Sequence, residues 1–317
     1  MAIKTDLLII GGGPAGLTAG LYAARGGQDS ILIEKGILGG QVMTTYDVEN
    51  YPGFPDAVQG PELIERMEKQ ALRFGLKIRT MCEAKNIEIV DHMFHTEICD
   101  SKEGPIISKA VILANGNVPK RLGAPNEEKL SGRGVSYCAT CDGALYRNKE
   151  IVVVGGGDSA LTEALFLTNF VSKIYLVHRR DKFRGEKVYV DRILANPKIE
   201  VVWNTVVTNI NGEEFVEGVS VKNVVTNEEK TLTVDGIFIF VGLSPNTQIV
   251  KNSPKLLSIL NEEGYVVTDG KGKTKIEGLF CAGDARADNF KQIVVSCADG
   301  ATSAWMAYHY IDHLNNK

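Results

Sequence analysis

Asp6-Leu-Leu-Ile-Ile-Gly-Gly-Gly-Pro-Ala-Gly16 decides the fold of this chain. The apolar run Leu7 to Ile10 has the length of a buried strand, the glycines end it at once, and Leu17 to Arg25 reads as a helix. A second apolar run, Ser30-Ile-Leu-Ile-Glu34, completes a strand-turn-helix-strand unit. In a Gly-x-Gly-x-x-Gly turn the first glycine permits the bend, the second lets backbone approach a pyrophosphate, and the third lets helix and strand pack closely. Here those are Gly11, Gly13 and Gly16, with Pro14 and Ala15 between them. The following helix points free N–H groups and its positive dipole end at the phosphates. Glu34 stands close to the ~20-residue spacing at which a carboxylate takes ribose hydroxyls. A glycine triplet alone is more often a plain turn; the flanking strand and helix make this one a nucleotide turn.

The pattern recurs. Glu150-Ile-Val-Val-Val154 leads into Gly155-Gly-Gly-Asp-Ser-Ala160, a helical Leu161 to Thr168 and the strand Lys173-Ile-Tyr-Leu-Val177. This turn, with Gly155, Gly157, Asp158, Ser159 and Ala160 as binding candidates, ends in alanine, which holds helix and strand slightly apart and is often met with NADP. After its second strand the chain reads His178-Arg-Arg-Asp-Lys-Phe-Arg184. Arg179, Arg180 and Arg184 suit a 2'-phosphate, which guanidinium groups bind bidentately and a carboxylate would repel. NADPH is therefore expected over NADH; an isolated basic cluster would by default be a solvated surface. Two buried-strand runs, Ala110 to Gly116 and Gly236 to Gly242, look like internal echoes, each following one nucleotide unit. Leu63 to Phe74 is helical by spacing, Gly278 to Asp284 is a late strand and turn, and Ser296 to Leu314 a terminal helix.

A chain of 317 residues is long enough for two domains, each with its own core. Its 44% hydrophobic and 23% charged residues, with 33 glycines, describe a globular protein rather than a disordered one, and the two strand-turn-helix-strand units make it α/β. The formal charge of −4 gives no general basic field, so nucleic acid is not an expected partner. No apolar run approaches the ~18 residues of a spanning helix, and the apolar stretch Leu7 to Ile10 is too short for a signal peptide, so a soluble cytoplasmic protein is expected.

Six cysteines are spread through the chain, and only Cys138 and Cys141 are close, in Tyr137-Cys-Ala-Thr-Cys-Asp142. Two thiols at this spacing can close a small disulfide, and one of them usually has a lowered pKa and attacks as thiolate. Zinc is the rival reading, but a structural site needs about four ligands and no second Cys-x-x-Cys is present, so no metal is expected. Asp142 is placed to move a proton during thiol exchange. Spacing alone leaves open that it is an exposed turn residue.

Over essentially its whole length the sequence resembles the bacterial low-molecular-weight thioredoxin reductases. The matching stretches are Gly11 to Gly16, Gly39-Gly-Gln41 with Val48-Glu-Asn-Tyr-Pro-Gly53, Cys138 to Gly143, Gly155 to Ala160, His178 to Arg184, Gly242 to Thr247 and Gly283-Asp284. The resemblance implies two Rossmann-like three-layer domains: an FAD domain of residues 1–117 and 247–317, and an NADPH domain of residues 118–246 inserted into it. It implies that Lys35, Gly40, Gln41, Asn50, Ala84, Ala114, Gly116, Gly283, Asp284, Lys291, Gln292 and Ile293 join the first turn and Glu34 around FAD. His178 and Gly242 would join the second turn and the arginines around NADPH. Electrons would pass from NADPH through FAD to Cys138–Cys141 and on to thioredoxin. Cys141 would face the flavin, Cys138 would attack thioredoxin, and Asp142 would protonate a leaving thiolate. A homodimer, and a rotation of the inserted domain about segments near 117 and 246, are implied as well.

Four positions depart from the family pattern. Lys291 stands where arginine is usual, Asn115 replaces a threonine, and Cys281 and Cys297 replace alanines and are expected to be buried small hydrophobes. The nearest alternative function is reduction of another small redoxin or a peroxiredoxin partner through the same dithiol. A flavin protein without turnover, or one fed by ferredoxin, is disfavoured because a phosphate clamp has no use without NADPH.

Overall fold

Leu7, Leu8 and Ile9 are fully buried although neighbours on a strand point to opposite faces, so the strand Ile3–Ile10 must be covered on both sides. The computed structural model, which describes residues 2–45, 47–99 and 104–316, shows what covers it. Leu7 and Ile9 pack with Leu17 and Ala19 of the helix Pro14–Arg25 and with Ala304 and Ala307 of the helix Ile293–Asn315. Leu8 and Ile10 face the other way, onto Phe94, Ile98, Ile249 and Leu256. Burying a large aliphatic side chain contributes ~1.5–3 kcal/mol relative to exposure, so this strand alone anchors a substantial part of the core.

The sheet runs in the order Lys77–Arg79, Ser30–Ile33, Ile3–Ile10, Ile106–Leu113, Met93–Ile98, Ala84–Val90. The first four strands are parallel and the last two antiparallel. Ile106–Leu113 divides its outer edge: Ile106 to Ser108 pair with the antiparallel strand, while Val111 to Leu113 pair in parallel with Leu279–Cys281, near the end of the chain. Met1–Val118 and Ser244–Lys317 thus form one compact unit, and Pro119–Leu243 form a second.

The second unit repeats the plan. A parallel sheet runs Val135–Ser136, Gly236–Phe240, Glu150–Gly155, Lys173–Val177, Ile199–Val202. Ile151 and Val153 pack on the helices Asp158–Leu167 and Lys187–Ala195 through Leu161, Ala164 and Ile193. Val152 and Val154 face an antiparallel sheet of Thr205–Asn211, Gly218–Asn223 and Glu229–Leu232 through Ile210, Val219 and Val221. Each unit is a Rossmann-like three-layer α/β fold, the second inserted into the first. The sequence echo has a structural meaning: each of the two echo strands lies parallel beside the strand that feeds a glycine turn.

Helices begin about one turn before the sequence pattern does. Pro14–Arg25, Gly60–Arg73, Asp158–Leu167 and Ile293–Asn315 each open with residues of the turn or cap, which carry no apolar periodicity.

The first turn has no slack. Gly11 holds φ +114°, and a Cβ on it would lie 2.3 Å from the Ala114 carbonyl oxygen, while a Cβ on Gly16 would lie 1.8 Å from the Gly11 oxygen. At Gly13 the nearest atom to an added Cβ is the Gly39 oxygen at 3.9 Å. Gly16→Ala is expected to cost about 1–3 kcal/mol, whereas Gly13→Ala should leave the thermal midpoint of the cofactor-free protein unchanged. Equal midpoints for the two variants would show that the turn can give way.

Candidate active site

In the first unit three loops meet at the end of the central strand. Gly39 donates its N–H to the Gly12 carbonyl at 2.8 Å, and Gly283 sits so close to Ala15 that a Cβ on it would lie 2.9 Å from the Ala15 methyl. Both Glu34 oxygens accept backbone N–H groups, from Gly12 at 2.7 Å and Gly36 at 2.9 Å. Its carboxylate therefore holds the turn and still has a lone pair on each oxygen for a ribose hydroxyl. Ala114 is buried and donates to Ile10, and the Gly116 carbonyl accepts from Asn246. Gly40 and Gln41 are exposed, the latter reaching the Asn117 carbonyl at 3.4 Å. Asn50 donates to the Gln292 side chain at 3.1 Å, just before Ile293 opens the last helix. Lys35 forms an exposed pair with Glu83 at 2.7 Å, beside Ala84 at the start of its strand.

Asp284 accepts from the Ser296 hydroxyl at 3.1 Å, and burial pushes its carboxyl up against the opposing pull of Ser296 and Lys291. The Lys291 ammonium lies on Tyr265, 4.1 Å from the ring centroid and bonded to its hydroxyl. Three residues that no motif marks hold this corner. Asp299 accepts from the Gly283 N–H at 3.1 Å and from the Asn289 side chain at 3.0 Å, and its other oxygen pairs with Arg286. Cys281 is buried as expected, with its thiol pushed up to about 12 by burial. Cys297 departs from expectation: it is half-buried and receives the Tyr51 hydroxyl at 3.7 Å, because it lies one turn into its helix, facing Tyr51.

In the second unit the arginine loop is sewn to the glycine turn. Arg184 donates its N–H to the Gly156 carbonyl at 2.8 Å, and Glu186 donates to the Asp158 carboxylate at 2.6 Å. Asp158 thereby serves the loop. The His178 ring packs on Gly156, where a Cβ would lie 2.3 Å from it, and against Phe183 and Trp203. Its Nε2 donates to the Lys182 carbonyl at 3.0 Å. Burial, aided by the charges of Arg184 and Arg180, lowers its pKa against the carbonyls of Lys182 and Gly155. His178 is thus a neutral support, while Arg179, Arg180 and Arg184 are exposed. Ser159 is exposed on the first helical turn, Ala160 is buried, and the Gly242 carbonyl accepts from Lys120.

The second glycine of each turn tests whether the cradles fit a ligand. An added Cβ at Gly157 meets nothing within 4 Å, and Gly13 is nearly as open. Their φ values, −103° at Gly157 and −77° at Gly13, suit any residue. Protein packing therefore gives no reason for glycine at either place; bare backbone at a helix N-terminus, open to a phosphate, does.

Cys138 and Cys141 are joined by a disulfide and so have no thiolate to offer a metal. Cys138 caps a short helix, Ala139–Asp142, and its sulfur accepts the Cys141 N–H at 3.1 Å with Thr140 Oγ1 at 3.5 Å. Asp142 is half-buried and donates its N–H to the Cys138 carbonyl. Among the described residues no group of three or more His, Cys, Asp or Glu gathers to hold a metal, and no helix is long and apolar enough to cross a membrane.

Two nucleotide cradles and one active disulfide define a flavin- and pyridine-nucleotide-linked disulfide oxidoreductase. The family described as pyridine nucleotide-disulphide oxidoreductase matches residues 5–300. The thioredoxin reductase of Bacillus subtilis is 43% identical over 98% of this chain and 95% of its own length. Among solved structures, the thioredoxin reductase of Lactococcus lactis is 39% identical with a TM-score of 0.93, covering 98% of this chain and 100% of that one. That of T. acidophilum is 35% identical with a TM-score of 0.90, covering 98% and 99%. The chain belongs to the pyridine nucleotide-disulphide oxidoreductase family, and within it to the bacterial low-molecular-weight thioredoxin reductases.

His178 supplies a pH prediction. Its folded pKa lies below the unfolded value, so the unfolded chain takes up the proton first as pH falls. Its contribution to stability is complete above about pH 6.5 and declines on acidification below it. The His178 ring resonance should titrate below 6.5, and a His178→Asn variant should lose part of the acid dependence of the thermal midpoint. A ring that titrates at or above 6.5 would put an imidazolium in the clamp.

Proposed function

We propose that the chain is an NADPH-dependent thioredoxin-disulfide reductase in which the unit of Met1–Val118 and Ser244–Lys317 holds FAD and Pro119–Leu243 holds NADPH. The observation that carries the reading is a Cys138–Cys141 disulfide in the same unit as an arginine loop fixed to a glycine turn. Gly11, Gly13 and Gly16 offer backbone to the FAD pyrophosphate, Glu34 a lone pair to the ribose, and Asp284 its buried carboxyl to the flavin side. Gly155 and Gly157 do the same for NADPH, with Arg179, Arg180 and Arg184 on the 2'-phosphate. Bound flavin supplies the two-electron carrier between nicotinamide and disulfide.

The thiol chemistry belongs to this chain. In the reduced dithiol, Cys138 is the better nucleophile, because the Cys141 N–H stabilises a thiolate there. Cys138 gives its proton to Asp142 and attacks the thioredoxin disulfide; a mixed disulfide forms, and the thioredoxin sulfur that leaves takes that proton back from Asp142. Cys141 then attacks the Cys138 sulfur, which restores the disulfide, and the proton Cys141 loses passes to the second thioredoxin sulfur as it leaves.

NADPH oxidation followed with and without thioredoxin tests the proposal. Turnover should require thioredoxin and disappear in Cys138→Ser. Replacing Arg179 and Arg180 together should raise the KM for NADPH about tenfold or more and leave that for NADH nearly unchanged, since charge-assisted contacts are each worth ~1.5–3 kcal/mol. Full thioredoxin reduction by Cys138→Ser would overturn the relay, and equal effects on the two nucleotides would move the clamp elsewhere.

A further inference from the structure

Glu127 lies in the loop that follows entry into the second unit, and it is 3% exposed. Its Oε1 accepts the Leu122 N–H at 2.9 Å and the Tyr137 hydroxyl at 2.5 Å, and its Oε2 accepts the N–H groups of Gly123 at 2.6 Å and Ala124 at 3.2 Å. Four donors fill the acceptor directions of one carboxylate. Three of them belong to the loop itself and would suffice to close it. The fourth comes from the residue immediately before Cys138.

The chain next to that residue is pinned too. Ser136, buried in the edge strand Val135–Ser136, accepts the Cys138 N–H at 3.1 Å and donates to the Cys138 carbonyl at 3.2 Å. On the far side of Cys138, Ala139 and, past the dithiol, Gly143 and Tyr146 are buried against the helix layer, while Cys141 itself is exposed. The approach to Cys138 from upstream is therefore fixed by side-chain hydrogen bonds. While the disulfide exists, its covalent bond keeps the two sulfurs together. Once it is reduced, the fixed backbone must do so, with the Cys141 N–H and the Thr140 hydroxyl on Cys138.

We propose that Glu127 and Tyr137 are positioning residues of the redox centre: their hydrogen bond holds Cys138 where the opened disulfide can close again. This rests on the reading of Cys138–Cys141 as the working disulfide. Burial and the Glu127 carboxylate push the Tyr137 phenol well up, outweighing the opposing charge of Arg121, so it stays a donor. The Glu127 carboxyl is lowered, because Tyr137 and the three N–H groups outweigh its burial. The bond thus persists across neutral pH. Without it the thiols of the reduced state gain freedom that the disulfide state does not, so reclosure becomes less favourable.

The test equilibrates the flavin-loaded Tyr137→Phe enzyme with buffers of dithiothreitol and its cyclic disulfide. In that exchange the Cys138–Cys141 bond takes two electrons and two protons from the two thiols of dithiothreitol, which close into a ring disulfide. Alkylation of the quenched samples and mass analysis of the peptide carrying both cysteines give the closing equilibrium. The proposal expects it to fall about threefold to tenfold and Cys138 to alkylate faster, with the rate of flavin reduction by NADPH unchanged. Glu127→Gln, at the other end of the bond, should shift the equilibrium in the same direction. Parental closing and alkylation in Tyr137→Phe would overturn the proposal, including the case in which only its thermal midpoint falls. The titration uses neither thioredoxin nor NADPH, so a failed tether and a failed functional assignment give different results.

Discussion

A helix can rest on the end of a parallel strand only where a side chain is missing, and this chain meets that constraint twice. At Gly11 and Gly16 the backbone of the turn touches Ala114 and itself at distances no Cβ could occupy. At Gly155 the same holds against the Phe240 carbonyl and the Ala160 methyl, each 2.5 Å from an added Cβ. Ala160 fits where Gly16 must be bare, so the second helix stands off by about a methyl group. From these contacts follow the direction of each helix N-terminus and the place where each cradle opens.

The loops around the cradles are fixed by one recurring device, a carboxylate that accepts backbone N–H groups. Glu34 holds the first turn, Asp158 the arginine loop, Asp299 the Gly283 turn and Glu127 the approach to the dithiol. A buried carboxylate is costly unless its lone pairs are used, and a loop short of partners supplies the donors. Asp299 shows the cost: burial raises its pKa even with Arg286 alongside.

The strands and helices that meet at the glycine turns were legible in the sequence because they are buried on both faces or strongly apolar on one. The antiparallel strands Ala84–Val90, Met93–Ile98, Thr205–Asn211, Gly218–Asn223 and Glu229–Leu232 were not; they are short and half-exposed, and several alternate weakly between polar and apolar. Glu127 reads as a charged loop residue in Asn126-Glu-Glu-Lys129, and only the fold brings Tyr137 to it. His178 stands beside two arginines and looks like a third cation, yet the missing Cβ of Gly156 lets its ring turn inward. Cys297 shows the same limit, since a cysteine at a helix start carries no sign of the tyrosine that will face it.

The central claim is that one chain carries two redox groups in series, a flavin and the Cys138–Cys141 disulfide. Anaerobic titration of the flavin-loaded protein with dithionite, followed at the flavin absorbance, counts them. The account predicts that complete reduction takes two electron pairs per flavin. Complete reduction with a single electron pair would contradict it.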